Sequence, residues 1–167
     1  MIDFETNTLI LSNTKFIFKT NLSGDPTRDT FGSSKRRANI IINDPEDVAN
    51  LLTLGFKVKA TKPKPGAEED FEPDYYIPFQ LNYDSEWPPM VYLVSGNAEP
   101  LLLDERTVGK VDNCYVRAVN AALNLYTNKK TGIKSVYAKT IYVEQDISSD
   151  PFAHLYANRG GEGALPF

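Results

Sequence analysis

Between Tyr75 and Asp84 the chain alternates with a period of two, so that Tyr75, Ile77, Phe79, Leu81 and Tyr83 fall on one face. An extended strand with one buried side produces this pattern, whereas a helix would scatter the same residues around its axis. Pro78 has no N–H to give to a ladder, which assigns this strand to a sheet edge or a bulge. The same alternation recurs along the chain. Lys15-Phe16-Ile17-Phe18-Lys19 reads as a half-buried strand, with Phe16 and Phe18 opposite the lysines and facing inward. Residues Arg37 to Ile42 read as a second strand, Phe56 to Ala60 are again alternating and basic, and Met90 to Val94 follow the rigid turn Trp87-Pro88-Pro89.

One segment carries helix signals. Asp44 can cap, Pro45 fits the first helical position, Glu46 and Asp47 suit the first turn, and Gly55 supplies a stop. A helix over 45–54 is expected, with Val48, Leu51 and Leu52 turned to a core. Residues Cys114 to Tyr126 fit two periods, because Val116, Val119, Leu123 and Tyr126 also suit a helix. The following Asn128-Lys129-Lys130-Thr131-Gly132 is hairpin chemistry and favours a strand, with Ile133 to Val143 as its partner. Residues 1–12 read as a loosely ordered lead, 99–111 as a mixed linker, and 68–74 as an exposed acidic loop. Seven or so strands, one helix and no alternating strand–helix rhythm disfavour a parallel α/β sheet. One domain over 1–147 with a flexible tail over 148–167 is expected, since 167 residues suffice for a substantial core.

Side-chain chemistry removes several function classes. Cys114 is the only cysteine and His154 the only histidine. Disulfides, thiolate zinc sites and most histidine-based triads are therefore not expected, and His154 reads as a surface residue. The start, Met1-Ile2-Asp3-Phe4-Glu5, lacks the basic and apolar regions of a leader, and no apolar run is long enough to span a bilayer. A reducing cytoplasm is the expected location, without membrane contact. Glu68 to Asp74 crowd carboxylates that could in principle hold a metal or act as an acid/base pair, but a proline-flanked polar stretch is the pattern of a solvating loop. No enzyme, no cofactor and no metal are expected.

Charge is segregated although the net charge is -4. From Asn13 to Lys64 there are ten Lys/Arg against five Asp/Glu; from Gly66 to Glu105 none against ten; from Arg106 to Tyr142 seven against one. Cations gathered on one face can neutralise phosphates whatever the net charge. The stretch Arg28 to Arg37 joins Phe31 to Arg28, Lys35, Arg36 and Arg37, with Gly32 and two serines that let a backbone approach phosphate. Aromatic residues interleaved with cations elsewhere, such as Tyr115 beside Arg117 and Tyr137 beside Lys139, suit a platform on which bases stack. Charge asymmetry is equally the mark of a solvated mixed surface, and single rings are commonly core. No Walker-type glycine–lysine–threonine pattern is present.

Lys15-Phe16-Ile17-Phe18, the stretch from Asp112-Asn113-Cys114-Tyr115-Val116-Arg117-Ala118 through Tyr126 to Lys130-Thr131-Gly132-Ile133, the strand ending Tyr142-Val143, and Asp150-Pro151-Phe152 together resemble the single-stranded DNA-binding proteins of bacteriophages. The resemblance implies an all-β, mainly antiparallel OB-fold-like barrel, with bases lying across a strand face and adjacent loops. It implies sequence-nonspecific binding in phage replication and recombination, in the host cytoplasm. Lys15, Lys19, Arg28, Lys35, Arg36, Arg37, Arg117, Lys134 and Lys139 would line the groove, and Phe31, Tyr115, Tyr137 or Tyr142 would stack. The ending Pro166-Phe167 is similar to tails that recruit replication or recombination proteins, although the residues just before it are only weakly acidic. A homo-oligomer fits the same picture. The rival readings are a β-rich virion structural or assembly protein, with its aromatic strands at subunit interfaces, and a metal-dependent nuclease.

Overall fold

The segments on either side of the Asn128–Gly132 turn are both strands, and they make the longest pairing among the described residues. The structure is a computed structural model that describes residues 1–146. Its elements are β1 (Ile2–Asp3), β2 (Thr8–Thr14), β3 (Phe16–Asn21), β4 (Arg37–Ile42), α1 (Pro45–Thr53), β5 (Lys59–Ala60), β6 (Tyr75–Gln80), β7 (Met90–Ser95), β8 (Leu101–Leu103), β9 (Val116–Thr127) and β10 (Lys134–Gln145). Two 3-10 turns, Pro26–Arg28 and Val108–Asn113, lie in the connections. β9 and β10 pair antiparallel from Lys134 opposite Thr127 to Gln145 opposite Val116, with a bulge at Lys139. The helical period of 114–126 yields to this ladder.

The sheet curls into a partly open barrel through a bend. β2 lies antiparallel on β9 as far as Thr14 opposite Val119, and β3 lies on β4 from Phe16 opposite Ile40. The two are one strand passing from one neighbour to the other at Lys15, whose C=O accepts from Ile41 N–H at 3.0 Å. Thr14 Oγ1 donates to Ile41 O at 2.6 Å and fixes the corner. β4 then pairs antiparallel with β6, and β6 meets β10 in parallel at a single pair, Gln80 with Tyr137. The circuit β2/β3–β4–β6–β10–β9 and back to β2/β3 is the strand order of an OB barrel, partly open where β6 leaves β10. There β7 takes over, pairing in parallel with β10 from Thr140 opposite Met90 to Gln145 opposite Ser95, and β8 covers its far side.

Period-two burial fills the interior. Leu9 and Leu11 of β2, Ala38, Ile40 and Ile42 of β4, Ile77 and Phe79 of β6, Leu123 and Leu125 of β9, and Ile141 and Val143 of β10 form one cluster. Each of these Leu, Ile, Val and Phe side chains contributes about 1.5–3 kcal/mol relative to exposure, and Ala38 less. α1 is capped as expected, Asp44 accepting from Glu46 N–H, and it packs Val48 and Leu51 on the barrel. Val108 and Val111 plug the end near Leu22.

Several expectations are corrected. Leu52 of α1 does not face the core: it is 53% exposed, because the helix lays only the side carrying Val48 and Leu51 on the barrel. The lead is ordered, because Ile2 and Asp3 pair with Leu9 and Thr8 and so extend the sheet. The strand from Tyr75 stops at Gln80, although Leu81 stays buried and its N–H still reaches Arg36 O at 2.9 Å. The linker 99–111 contains β8 and the start of a 3-10 turn, and the described residues form ten strands rather than seven or so. Phe18 does not face inward: a bulge between Ile17 and Asn21 turns it out, with φ at +63°. Among the described residues no helix is long and apolar enough to cross a membrane.

Candidate nucleic-acid interface

Alternation that buries Ala38, Ile40, Ile77 and Phe79 must turn the residues between them outward. On the outer face of β4 and β6 the register sets Arg37 opposite Gln80, Asn39 opposite Pro78 and Ile41 opposite Tyr76. Phe18, 62% exposed, stands edge-on to Tyr76 with ring centroids 5.2 Å apart and planes at 81°. A bulky residue in the left-handed region costs of order 1–2 kcal/mol, and here that backbone lifts a ring onto an open sheet face. Two rings, two amides and one guanidinium therefore share a shallow strand surface. Such a surface has π faces for bases and a cation for the backbone.

A cleft of about 520 Å³ opens beside this face, where β6 parts from β10. Its walls are Ile77 to Gln80 on one side and Gly132 to Val136 on the other, with Gly55 to Lys57 and Lys59 across one end. Leu81 N–H points to the β4 side of β6, so by the strand period the nitrogen of Pro78 faces the cleft. A missing donor on that edge discourages a further strand from pairing there, which keeps the cleft open. Arg37, Lys57, Lys59 and Lys134 line it, and among the described residues no carboxylate does. Lys134 Nζ donates to Thr127 Oγ1 at 2.9 Å and lies 5.6 Å from the centre of the Phe56 ring, so its charge is held at the wall.

The loop between β3 and β4 borders the same face, but its cations divide. Arg28 turns inward: its guanidinium donates to Thr20 O and Asp112 O and lies 3.7 Å from the Asp112 carboxylate. Arg36 donates to Leu22 O at 2.8 Å, lies 5.3 Å over the Tyr83 ring and approaches Glu105. Both hold the loop to the barrel. Arg37 stays half exposed, paired with Asp29, whose other oxygen accepts from Phe31 N–H at 2.7 Å. That backbone bond, with the Arg37 charge, holds the Asp29 carboxyl below its ordinary value. Phe31 is 92% exposed, and Lys35 is exposed beside it.

The remaining candidates do not join this group as one groove. Lys15 and Lys19 are exposed on the bent strand. Tyr115 and Arg117 are exposed at the start of β9, at the far end of the β9–β10 ladder from the turn that carries Lys134. Lys139 projects at the bulge, and Tyr142 stacks on Tyr92 with centroids 4.6 Å apart, on the part of β10 that pairs with β7. Tyr137 sits at the Gln80 pair, on the seam itself. The structure thus brings together Phe18, Phe31, Arg37, Tyr76, Lys57, Lys59 and Lys134. Tyr76, Lys57 and Lys59 were not singled out from sequence; the alternating basic run Phe56–Ala60 was the available signal. Glu68, Glu69, Asp70 and Glu72 line a separate loop cavity, and among the described residues no group of three or more His, Cys, Asp or Glu is placed to hold a metal. Asp150-Pro151-Phe152, His154, Pro166 and Phe167 lie outside the described residues.

No family model matches the chain, and no curated protein matches it. Among solved structures it is similar to a C-terminally truncated single-stranded DNA-binding protein from bacteriophage Enc34, at 12% identity and a TM-score of 0.49, over 85% of this chain and 87% of that one. The untruncated form of that protein aligns at 13% identity and a TM-score of 0.45, over 85% and 83%. Both alignments are loose, and it is the strand order and register of the described residues that identify the chain as an OB-type barrel.

Proposed function

We propose that the protein binds single-stranded DNA without sequence preference and without catalysis, across the outer face of β4 and β6 and along the adjoining cleft. The observation that carries this reading is the pairing of outward rings, Phe18 on Tyr76, with a cleft lined by Arg37, Lys57, Lys59 and Lys134 and by no carboxylate. Rings accept any base, and cations follow any backbone. Phe31, Lys35 and the turn lysines Lys129 and Lys130 flank the path. Arg28 and Arg36 support the loop rather than touch DNA. With the sequence resemblance to phage proteins, the binding serves phage DNA replication and recombination in the host cytoplasm.

Fluorescence titration of a thymidine homopolymer over a range of salt tests this. Each phosphate neutralised on a single strand contributes about 0.7 to the slope of log affinity against log salt. Lys57→Ala, Lys59→Ala and Lys134→Ala combined are expected to lower the slope by about 2 and to weaken binding at low salt. Absence of salt-sensitive binding by the unaltered protein overturns the proposal. A second reading, a virion structural or assembly protein, draws on β8, an edge strand with Leu101 and Leu102 exposed. A stable large assembly formed without DNA would favour it.

A further inference from the structure

The seam at Gln80 and Tyr137 has a second side. Beyond it, toward the loop that follows β6, lies another cleft of about 550 Å³, lined by residues of three separate regions. Trp87 comes from the turn before β7 and is 85% exposed. Tyr126 and Tyr137 come from the paired ends of β9 and β10, with centroids 6.1 Å apart and planes at 67°. Asn7, Asn82 and Asn124 supply amides, and Thr6 and Ser85 hydroxyls. No Lys, Arg, Asp or Glu lines it, in contrast to the cleft on the other side of the seam.

Without cations this cleft has little to offer a phosphate, and lined by amides and hydroxyls it is too polar for a purely apolar side chain. Planar rings beside donors and acceptors suit a flat heteroaromatic group with hydrogen-bonding edges. The side-chain amides of Asn7 and Asn124 make no hydrogen bond to another described residue, and each offers both a donor and an acceptor. Trp87 and Tyr126 keep much of their surface in water, which is costly for rings of this size and is relieved when a base covers them.

We infer that the cleft of Trp87, Tyr126 and Tyr137 is a nucleobase subsite, into which a single strand leaving the basic cleft inserts a base after crossing the Gln80–Tyr137 pair. This rests on the single-stranded DNA reading above. Phosphates are held on one side of the seam and a base on the other, so the two clefts divide the strand's chemistry between them. The amides accept the edges of all bases, because an amide can present either its oxygen or its nitrogen.

Trp87 is the only tryptophan in the chain, so its fluorescence reports this cleft alone. Two probes of equal phosphate number are titrated: a thymidine homopolymer and the same backbone made abasic. The homopolymer is expected to quench Trp87 strongly, and the abasic strand to bind with a similar salt slope while leaving Trp87 unquenched. Tyr126→Ala with Tyr137→Ala is expected to weaken the homopolymer about tenfold and the abasic strand little. Asn124→Ala, which removes no ring, gives a smaller loss in the same direction and serves if the double variant melts early. Equal quenching by the abasic strand, or unchanged homopolymer affinity in both variants, overturns the subsite while leaving the DNA-binding proposal intact. Failure of both probes to bind at low salt overturns both.

Discussion

Phe18 and Tyr76 meet edge to face, ring centroids 5.2 Å apart, on the outside of the barrel, where a bulge in the β3 ladder between Ile17 and Asn21 turns Phe18 out. The side chain reaches this position through φ of +63°, a region that glycine enters freely and a residue with a Cβ does not. Fold and proposed ligand surface are therefore in tension at one residue, a pattern that accompanies binding sites.

Substitution separates the two demands. Phe18→Ala and Phe18→Gly both remove the ring, but only Gly removes the Cβ that strains the backbone. Phe18→Gly is expected to be more stable than Phe18→Ala by about 1 kcal/mol, the order found for left-handed positions. Both are expected to bind a thymidine homopolymer at least fivefold more weakly, by loss of one stacking ring. Denaturant melts and the oligonucleotide titration read the two effects independently.

A second expectation concerns Asp112, whose carboxylate accepts from Thr20 Oγ1 at 2.7 Å, Leu22 N–H at 2.8 Å and Ser23 N–H at 3.0 Å, beside the Arg28 guanidinium. Asp112→Ala leaves several donors unpaired and takes the carboxylate from beside the partly buried Arg28, and a loss of about 2–4 kcal/mol is expected in a denaturant melt. Asp112→Asn keeps one acceptor oxygen and should lose less. Arg28→Ala should lower stability while leaving the salt slope of DNA binding unchanged, which distinguishes a loop anchor from a phosphate contact.

The strands were legible because one side of each is buried, so period two is written into 37–42 and 75–80, and into 134–145 on each side of the bulge at Lys139. α1 was legible because Asp44 and Pro45 act within one turn of it. The curl of the sheet into a barrel was not legible. It depends on a corner at Lys15 and on one pair, Gln80 with Tyr137, between segments far apart in sequence. The site divided in the same way. The Arg28–Arg37 stretch reads as a basic loop, but whether a guanidinium faces solvent is decided by distant groups: Asp112 O, 84 residues from Arg28, and Leu22 O for Arg36. Lys57 and Lys59 face a cleft only because β6 and β10 diverge opposite them, and no local pattern encodes that divergence.

Asp29 offers a test by pH. Its carboxyl accepts from Phe31 N–H and pairs with Arg37, and the backbone bond first, then the Arg37 charge, holds it below the ordinary 3.8. A carboxylate lowered in the folded state contributes stability that is present above its unfolded value and is lost as pH falls through the folded one. Loop order around Phe31 should therefore be unchanged from pH 7 to about 5 and fail only below 3.8, with the Phe31 amide losing exchange protection as the Asp29 carboxyl titrates by NMR. Asp29→Asn separates the charge from the backbone bond, since its amide oxygen still accepts from Phe31 N–H. Arg37 is then released toward the cleft at neutral pH. The salt slope of oligonucleotide binding is expected to steepen by about 0.7, one added phosphate contact, with tighter binding at low salt. An unchanged slope would show that Arg37 serves Asp29 alone and would remove it from the cation set of the cleft.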